Sequence, residues 1–197
     1  MFILKLTRKN LNSVVKIASS FIKKGKIVAC PTDTVYGFLC GATNKKAVGK
    51  IYKIKNRAKI NPIPVFVENI KAAKEISEIN KSQEKFLRKK WPGKLTAVLN
   101  RKGRKILYGV DKKTIGIRVP KYKLINLLLK MLKFPLAETS VNISGQPSLN
   151  DVRKIIRRYE REKIKPDLII DAGKLKFNKP SEVVDLTGEK YTILRKG

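Results

Sequence analysis

Four short polar segments of this 197-residue chain carry the residue types that bind and polarise anions. The first covers residues 31–37, where Thr32, Asp33, Thr34 and Tyr36 follow an apolar stretch. Strand ends are where α/β proteins place ligands, and hydroxyls beside a carboxylate suit a polar one. The plainer reading is a tight turn in which Asp33 bonds its own backbone. The second segment is Lys55-Asn56-Arg57, with Lys53 and Lys59 close by. Cations at a helix C-terminus are favoured by the helix dipole. Alternating Lys and Arg could straddle a carboxylate or phosphate, the arginine supplying a two-pronged fork. A solvated charge run would read the same way.

The third segment, residues 114–120, alternates as a strand does. Ile115, Ile117 and Val119 share one face, Gly116 and Arg118 the other. An arginine beside a glycine suits a ligand-facing surface; an ordinary exposed edge arginine is the alternative. The fourth segment runs from Thr139 to Gly145, within residues 138–145, which read as a polar loop after Leu136-Ala137. Ser140, Asn142 and Ser144 fall at period two, so an extended chain would point all three one way. Hydroxyls and an amide in a row suit phosphate, ribose or adenine edges.

Composition narrows the chemistry further. The chain has no histidine, which excludes the Ser-His-Asp triad, the Cys-His dyad and zinc sites built on imidazole. Two cysteines cannot make a four-cysteine metal site, and Cys30 and Cys40 read as core residues of a reduced, cytoplasmic protein. No phosphate loop of the Gly-Lys-Ser/Thr type is present, nor a dinucleotide-binding glycine pattern. With 46 Lys and Arg against 15 Asp and Glu, the formal charge is +31. That predicts attraction to polyanions. The basic pairs Lys23-Lys24, Lys45-Lys46, Lys112-Lys113 and Arg157-Arg158 are scattered, so a lysine-rich background explains the charge as well as RNA binding does. The start reads as a short strand, not a signal peptide, and no apolar run approaches the length of a membrane span.

The elements that must position these segments follow from periodicity. Apolar spacing predicts helices over 11–24, 45–55, 70–79, 83–90, 125–132 and 151–163. Strands are expected at 1–5, 26–30, 39–42, 63–67, 95–99, 114–119, 168–170, 182–186 and 192–194. Pro64 inside the 63–67 strand favours an edge or bulged position. Arg101 to Arg104 reads as a basic turn, and Trp91-Pro92-Gly93 as rigid structural punctuation. Several strands adjoin without a helix between them. The expected fold is therefore α/β with a mixed sheet, not a strict doubly wound one.

Taken in order, the segments resemble the YrdC/Sua5 family, the L-threonylcarbamoyladenylate synthases. The likeness is carried by residues 31–37, Lys55-Asn56-Arg57, Asn61-Pro62 and Trp91-Pro92-Gly93 with Leu95-Thr96. It continues through residues 116–120, residues 140–145, Pro180-Ser181 before residues 183–187, and Ile193-Leu194-Arg195. The resemblance implies a twisted mixed sheet flanked by helices around a large basic concave cleft, in a single domain like the family's short form. It implies condensation of L-threonine, bicarbonate or CO2, and ATP with Mg2+ to threonylcarbamoyl-AMP and pyrophosphate. A threonylcarbamoyl-transferase complex would then modify tRNA next to the anticodon.

By the same resemblance, Thr32, Thr34 and Tyr36 line the threonine and carbamate side. Lys55 and Arg57 bridge carboxylate and phosphates, with Arg118 across the cleft. Ser140, Asn142, Ser181 and Arg195 meet ATP, and Ser144 shapes its loop. Ala58, Phe66 and Val141 depart from common family patterns. A tRNA- or double-stranded-RNA-binding protein of the same fold, without synthase activity, is the alternative, and it rests on the charge.

Overall fold

The computed structural model describes residues 1–103, 105–176 and 179–197; Arg104 of the expected basic turn lies outside them. Two amphipathic helices, α1 (Leu11–Lys23) and α5 (Lys123–Leu132), bury Val14, Val15, Ala18 and Ile22 against Leu124, Ile125, Leu128 and Leu129. Both cover one face of a sheet. On its opposite face lie α2 (Lys45–Lys55), α3 (Ile70–Ile76), α4 (Lys81–Lys90) and α6 (Val152–Tyr159), which contribute Val48, Ile51, Ala73, Leu87 and Ile155 to a second core. Asn44, Asn69, Asn80 and Asp151 cap helices by accepting a backbone N–H. α3 and α6 are shorter than the spacing predicts.

The sheet has ten strands among the described residues: β1 (Phe2–Lys5), β2 (Val28–Pro31), β3 (Tyr36–Gly41), β4 (Val65–Phe66), β5 (Leu95–Asn100), β6 (Thr114–Arg118), β7 (Leu136–Ser140), β8 (Leu168–Asp171), β9 (Glu182–Asp185) and β10 (Thr192–Arg195). Their order across the sheet is β1-β8-β2-β3-β7-β4-β6-β5-β9-β10. Pairings β1–β8, β2–β8, β4–β6 and β5–β9 are parallel, the rest antiparallel, so the sheet is mixed as expected. β4 is not an edge strand. It sits between β7 and β6, and Pro64 falls just before its two paired residues, where the missing N–H leaves no ladder bond unmade.

Register decides which side chains share a face. Glu138 lies opposite Leu39, and Arg118 opposite Phe66; both partners belong to the core under α1 and α5. Period two then adds Ser140 from β7 and Gly116 from β6, and Val98 faces Gly116 from β5. Thr96 faces Val183, which in turn faces Arg195. The face that carries the α1–α5 core thus runs on as a polar floor drawn from β7, β6, β5, β9 and β10.

Candidate active site

This floor underlies a cavity of about 380 Å³, within the usual size of a small-ligand site. Thr34, Arg57, Arg118, Glu138, Ser140, Ser181 and Arg195 line it, with Thr96, Gly116 and Asp111. The sequence segments named above therefore meet here, although residues 34 and 195 are far apart in the chain. Gly116 has a packing reason: a Cβ there would stand 3.2 Å from Cβ of Pro64, so its absence lets β4 and its proline approach the floor.

Arg118 is not an edge arginine. It is 2% exposed and held from three directions. Its Nη2 donates to Asp33 Oδ1 at 2.6 Å, its Nε to the Gly93 carbonyl at 2.9 Å, and its Nη1 to Thr34 Oγ1 at 3.4 Å. The second Asp33 oxygen accepts the Lys121 backbone N–H at 3.0 Å. The guanidinium lies over the Phe66 ring, 5.5 Å from its centre. Gly93 is needed where it is, since a Cβ would come within 2.4 Å of the Lys90 carbonyl oxygen. Trp91-Pro92-Gly93 thus helps aim a cation as well as marking a turn. Asp33, read as a turn former, is the group that sets Arg118.

Lys55 and Arg57 part company. Asn56 ends α2 in the left-handed region, at φ 49° and ψ 48°, which asparagine tolerates better than most residues. Arg57 therefore lines the cavity, where its Nε donates to the Asn61 carbonyl and its Nη2 to that of Pro62. Lys55 turns inward and is 2% exposed. Its ammonium donates to the Ser140 carbonyl (2.6 Å), the Asn142 carbonyl (3.1 Å) and Asn142 Oδ1 (2.6 Å). Three acceptors match the three N–H bonds of a lysine. Burial first, then the nearby Arg57 charge, lower its pKa to about 8, while Glu138 opposes the shift. Lys55 is thus placed as the clamp of the 140–142 segment and is not among the cavity-lining residues.

The three-in-a-row reading of Ser140, Asn142 and Ser144 fails because β7 ends at Ser140. Ser140 donates to Asn142 Oδ1 at 2.7 Å, and Asn142 Nδ2 donates to the Gln146 carbonyl. Ser144 instead buries its hydroxyl, without a partner among the described residues. Of this trio, Ser140 lines the cavity. On the far side Ser181 and Thr96 share a hydroxyl bond of 2.9 Å, and Arg195 donates to the Ser181 carbonyl at 2.7 Å.

Tyr36 is not brought to the cavity. As the first residue of β3 it shares a face with Phe38 and Cys40, in the core under α2 and α6. Its hydroxyl donates to the Gly173 carbonyl at 2.9 Å and accepts the Ala172 N–H at 3.0 Å. Burial raises its pKa, so it stays protonated. Thr32 is also buried behind the wall; its Oγ1 lies 3.0 Å from Thr34 Oγ1 and donates to the Val35 carbonyl. Cys30 and Cys40 are buried, unbridged thiols with raised pKa values, desolvation being the main cause for both. Sequence reasoning missed Glu138. It begins a segment read as a loop, but as part of β7 it falls on the floor between Leu136 and Ser140. The available signal was an acid directly after the apolar pair Leu136-Ala137.

The family model for Sua5/YciO/YrdC, described as telomere recombination, matches residues 20–197. The chain belongs to the Sua5/YciO/YrdC family. A Methanocaldococcus jannaschii member named putative threonylcarbamoyl-AMP synthase is 36% identical over 99% of this chain and 91% of its own length. The crystal structure of Pyrococcus abyssi Sua5 complexed with L-threonine superposes with a TM-score of 0.83 at 28% identity; it covers 98% of this chain, which spans 56% of that one. Escherichia coli YciO gives 0.87 at 26% identity, covering 100% of this chain and 94% of its own.

Proposed function

We propose that this Sua5/YciO/YrdC-family chain is an L-threonylcarbamoyladenylate synthase, joining L-threonine, CO2 or bicarbonate, and ATP with release of pyrophosphate. The observation that carries this reading is Arg118, buried and pre-aimed on the floor of a cavity whose rim holds two further arginines. It fits a reaction whose reactants are all anionic or become so. The Pyrococcus relative, whose structure includes L-threonine, supports the amino-acid side of the assignment.

The chemistry suits a chain without histidine. The threonine amine adds to CO2, and a carbamate oxygen then displaces pyrophosphate from the α-phosphorus of ATP. No protein nucleophile is needed; the site must orient two anions and neutralise the charge moving onto the leaving group. Arg118 and Thr34 hold the threonine carboxylate, and Ser140 the carbamate. Arg57, Ser181 and Arg195 meet the phosphates, while Lys55 and Asn142 fix the segment that carries Ser140. Mg2+ enters bound to the ATP phosphates. Among the described residues no cluster of three His, Cys, Asp or Glu side chains builds a separate cage for it.

The adenylate would pass to a threonylcarbamoyl-transferase complex acting on tRNA, in the cytoplasm. No helix of the described residues is long and apolar enough to cross a membrane. Direct tRNA or double-stranded RNA binding is a second reading, motivated by the charge of +31. It predicts affinity that falls steeply with salt and does not require threonine. The deciding experiment measures pyrophosphate release from Mg2+·ATP and bicarbonate, with L-threonine, L-serine or neither, and identifies the product by mass. Threonine-dependent release with threonylcarbamoyl-AMP is the expected result. No release from folded, nucleotide-free protein would overturn the synthase reading and favour the RNA one.

A further inference from the structure

Three carboxylates stand in or directly behind the cavity wall, and two are already engaged. Asp33 accepts from Arg118 and from the Lys121 N–H. Asp111 accepts the Lys113 and Thr114 backbone N–H groups of its own turn. Glu138 differs: it lines the cavity, and no side chain or backbone group among the described residues hydrogen-bonds its carboxylate. It occupies space that Gly37 leaves open, since a Cβ on Gly37 would stand 2.6 Å from Glu138 Oε1. A buried carboxylate without a donor is costly and calls for a reason in the ligand.

The groups that face Glu138 electrostatically come from every side. They are Arg118 from β6, Lys55 from α2, Arg195 from β10, Asp33 from the β2–β3 turn and Cys30 from β2. Burial outweighs the three cations, and Glu138 titrates at about 7. It can therefore both take and release a proton near neutrality. The other candidates for that task are engaged or turned away: Lys55 is clamped, Tyr36 faces the other core, and histidine is absent. Arg118 uses one N–H each on Gly93, Thr34 and Asp33, of the five a guanidinium carries. A guanidinium with donors to spare beside a carboxylate that lacks them is the complement of an α-amino acid zwitterion.

We infer that Glu138 takes the proton from the α-ammonium of threonine, making the amine that attacks CO2. This rests on the synthase reading above. The N–H bond breaks, its proton passes to Glu138, and the electron pair stays on nitrogen. Nitrogen then bonds the carbon of CO2 while one C=O pair moves onto oxygen. The second N–H proton leaves to water at the cavity mouth, giving the N-carboxylate that attacks ATP. Glu138 returns its proton to solvent after the adenylate departs.

The test compares wild type with Glu138→Gln, shown folded by thermal unfolding, in two directions. Forward synthesis should lose about a hundredfold or more in kcat/KM for threonine. Formation of ATP from threonylcarbamoyl-AMP and pyrophosphate needs no amine deprotonation, so it should fall by no more than about threefold. The wild-type to variant ratio should rise with pH through about 7 and then level. Taking the ratio cancels the ionisation of threonine and bicarbonate. Glu138→Ala should be partly restored by formate, which supplies the missing carboxylate. Equal forward rates, equal losses in both directions, or folded Glu138→Ala that formate does not rescue would each overturn the role while leaving the synthase intact. Wild type that makes no adenylate would overturn both.

Discussion

Arg118 and Arg195 line the same cavity and are held in opposite ways. Arg118 comes from β6 in the sheet interior, with a buried carboxylate, a glycine carbonyl and an aromatic face fixing its guanidinium. Arg195 comes from β10, an edge strand whose four residues are all exposed, and among the described residues its side chain bonds Ser181 alone. One wall is built before a ligand arrives; the other reaches in from an edge. A preset cation is worth most in a dry site, because no reorganisation is required as charge develops. An edge cation contributes mainly to capture. The same side chain thus serves different steps according to the strand that carries it.

The sharpest way to break this contrast is Arg118→Ala. It strands the Asp33 carboxylate behind the wall, so stability should fall by about 3 kcal/mol. Adenylate formation should fall by about a thousandfold or more. Urea unfolding and product mass measure the two, and a variant with near-normal turnover would remove Arg118 from the centre of the site. Lys55→Met comes next. It takes the donors from three oxygens of the 140–142 segment yet removes a buried charge, so the net stability cost should be about 1–2 kcal/mol. Turnover should drop about a hundredfold through misplaced Ser140, with faster amide exchange over residues 140–146. Unchanged exchange would mean that Lys55 acts directly on a ligand.

Smaller still, Arg195→Ala should raise KM for ATP about tenfold, through the loss of a charge-assisted contact. Its melting temperature should barely move, as expected for an exposed position. A loss confined to kcat would place Arg195 with the preset wall. Tyr36→Phe should have the least effect on activity, with KM for threonine changed by less than about twofold. Loss of its bonds at Ala172 and Gly173 should cost about 1 kcal/mol of stability. A large rise in that KM would return the tyrosine hydroxyl to the cleft.

Much of the floor was legible because period two survives in short strands. Gly116 and Arg118 were read on one face, and register places them there. What failed did so for local reasons. Tyr36 was placed on the threonine side by the family resemblance alone; β3 starts at Tyr36, and the strand's period puts its side chain with Phe38 and Cys40. Glu138 was hidden by the assumption that polar residues after Ala137 leave the sheet; pairing with β3 keeps them in it. Pro64 suggested an edge, yet a strand with two paired residues places its proline outside the ladder. Lys55 and Arg57 looked like one cationic clamp. A single left-handed residue, Asn56, sends them to different tasks, and spacing alone does not display a backbone sign.

The two thiols, buried, unbridged and raised in pKa by desolvation, bear on how this protein could be inhibited. With no histidine in the chain and no reactive thiolate near the cavity, covalent warheads aimed at sulfur or imidazole have nothing to capture. Thiol alkylation should leave activity intact under native conditions. Reversible mimics of the mixed anhydride suit this site instead. Their carbamate–phosphate linkage would be replaced by a stable isostere, with negative charge presented to Arg118 and a donor to Glu138.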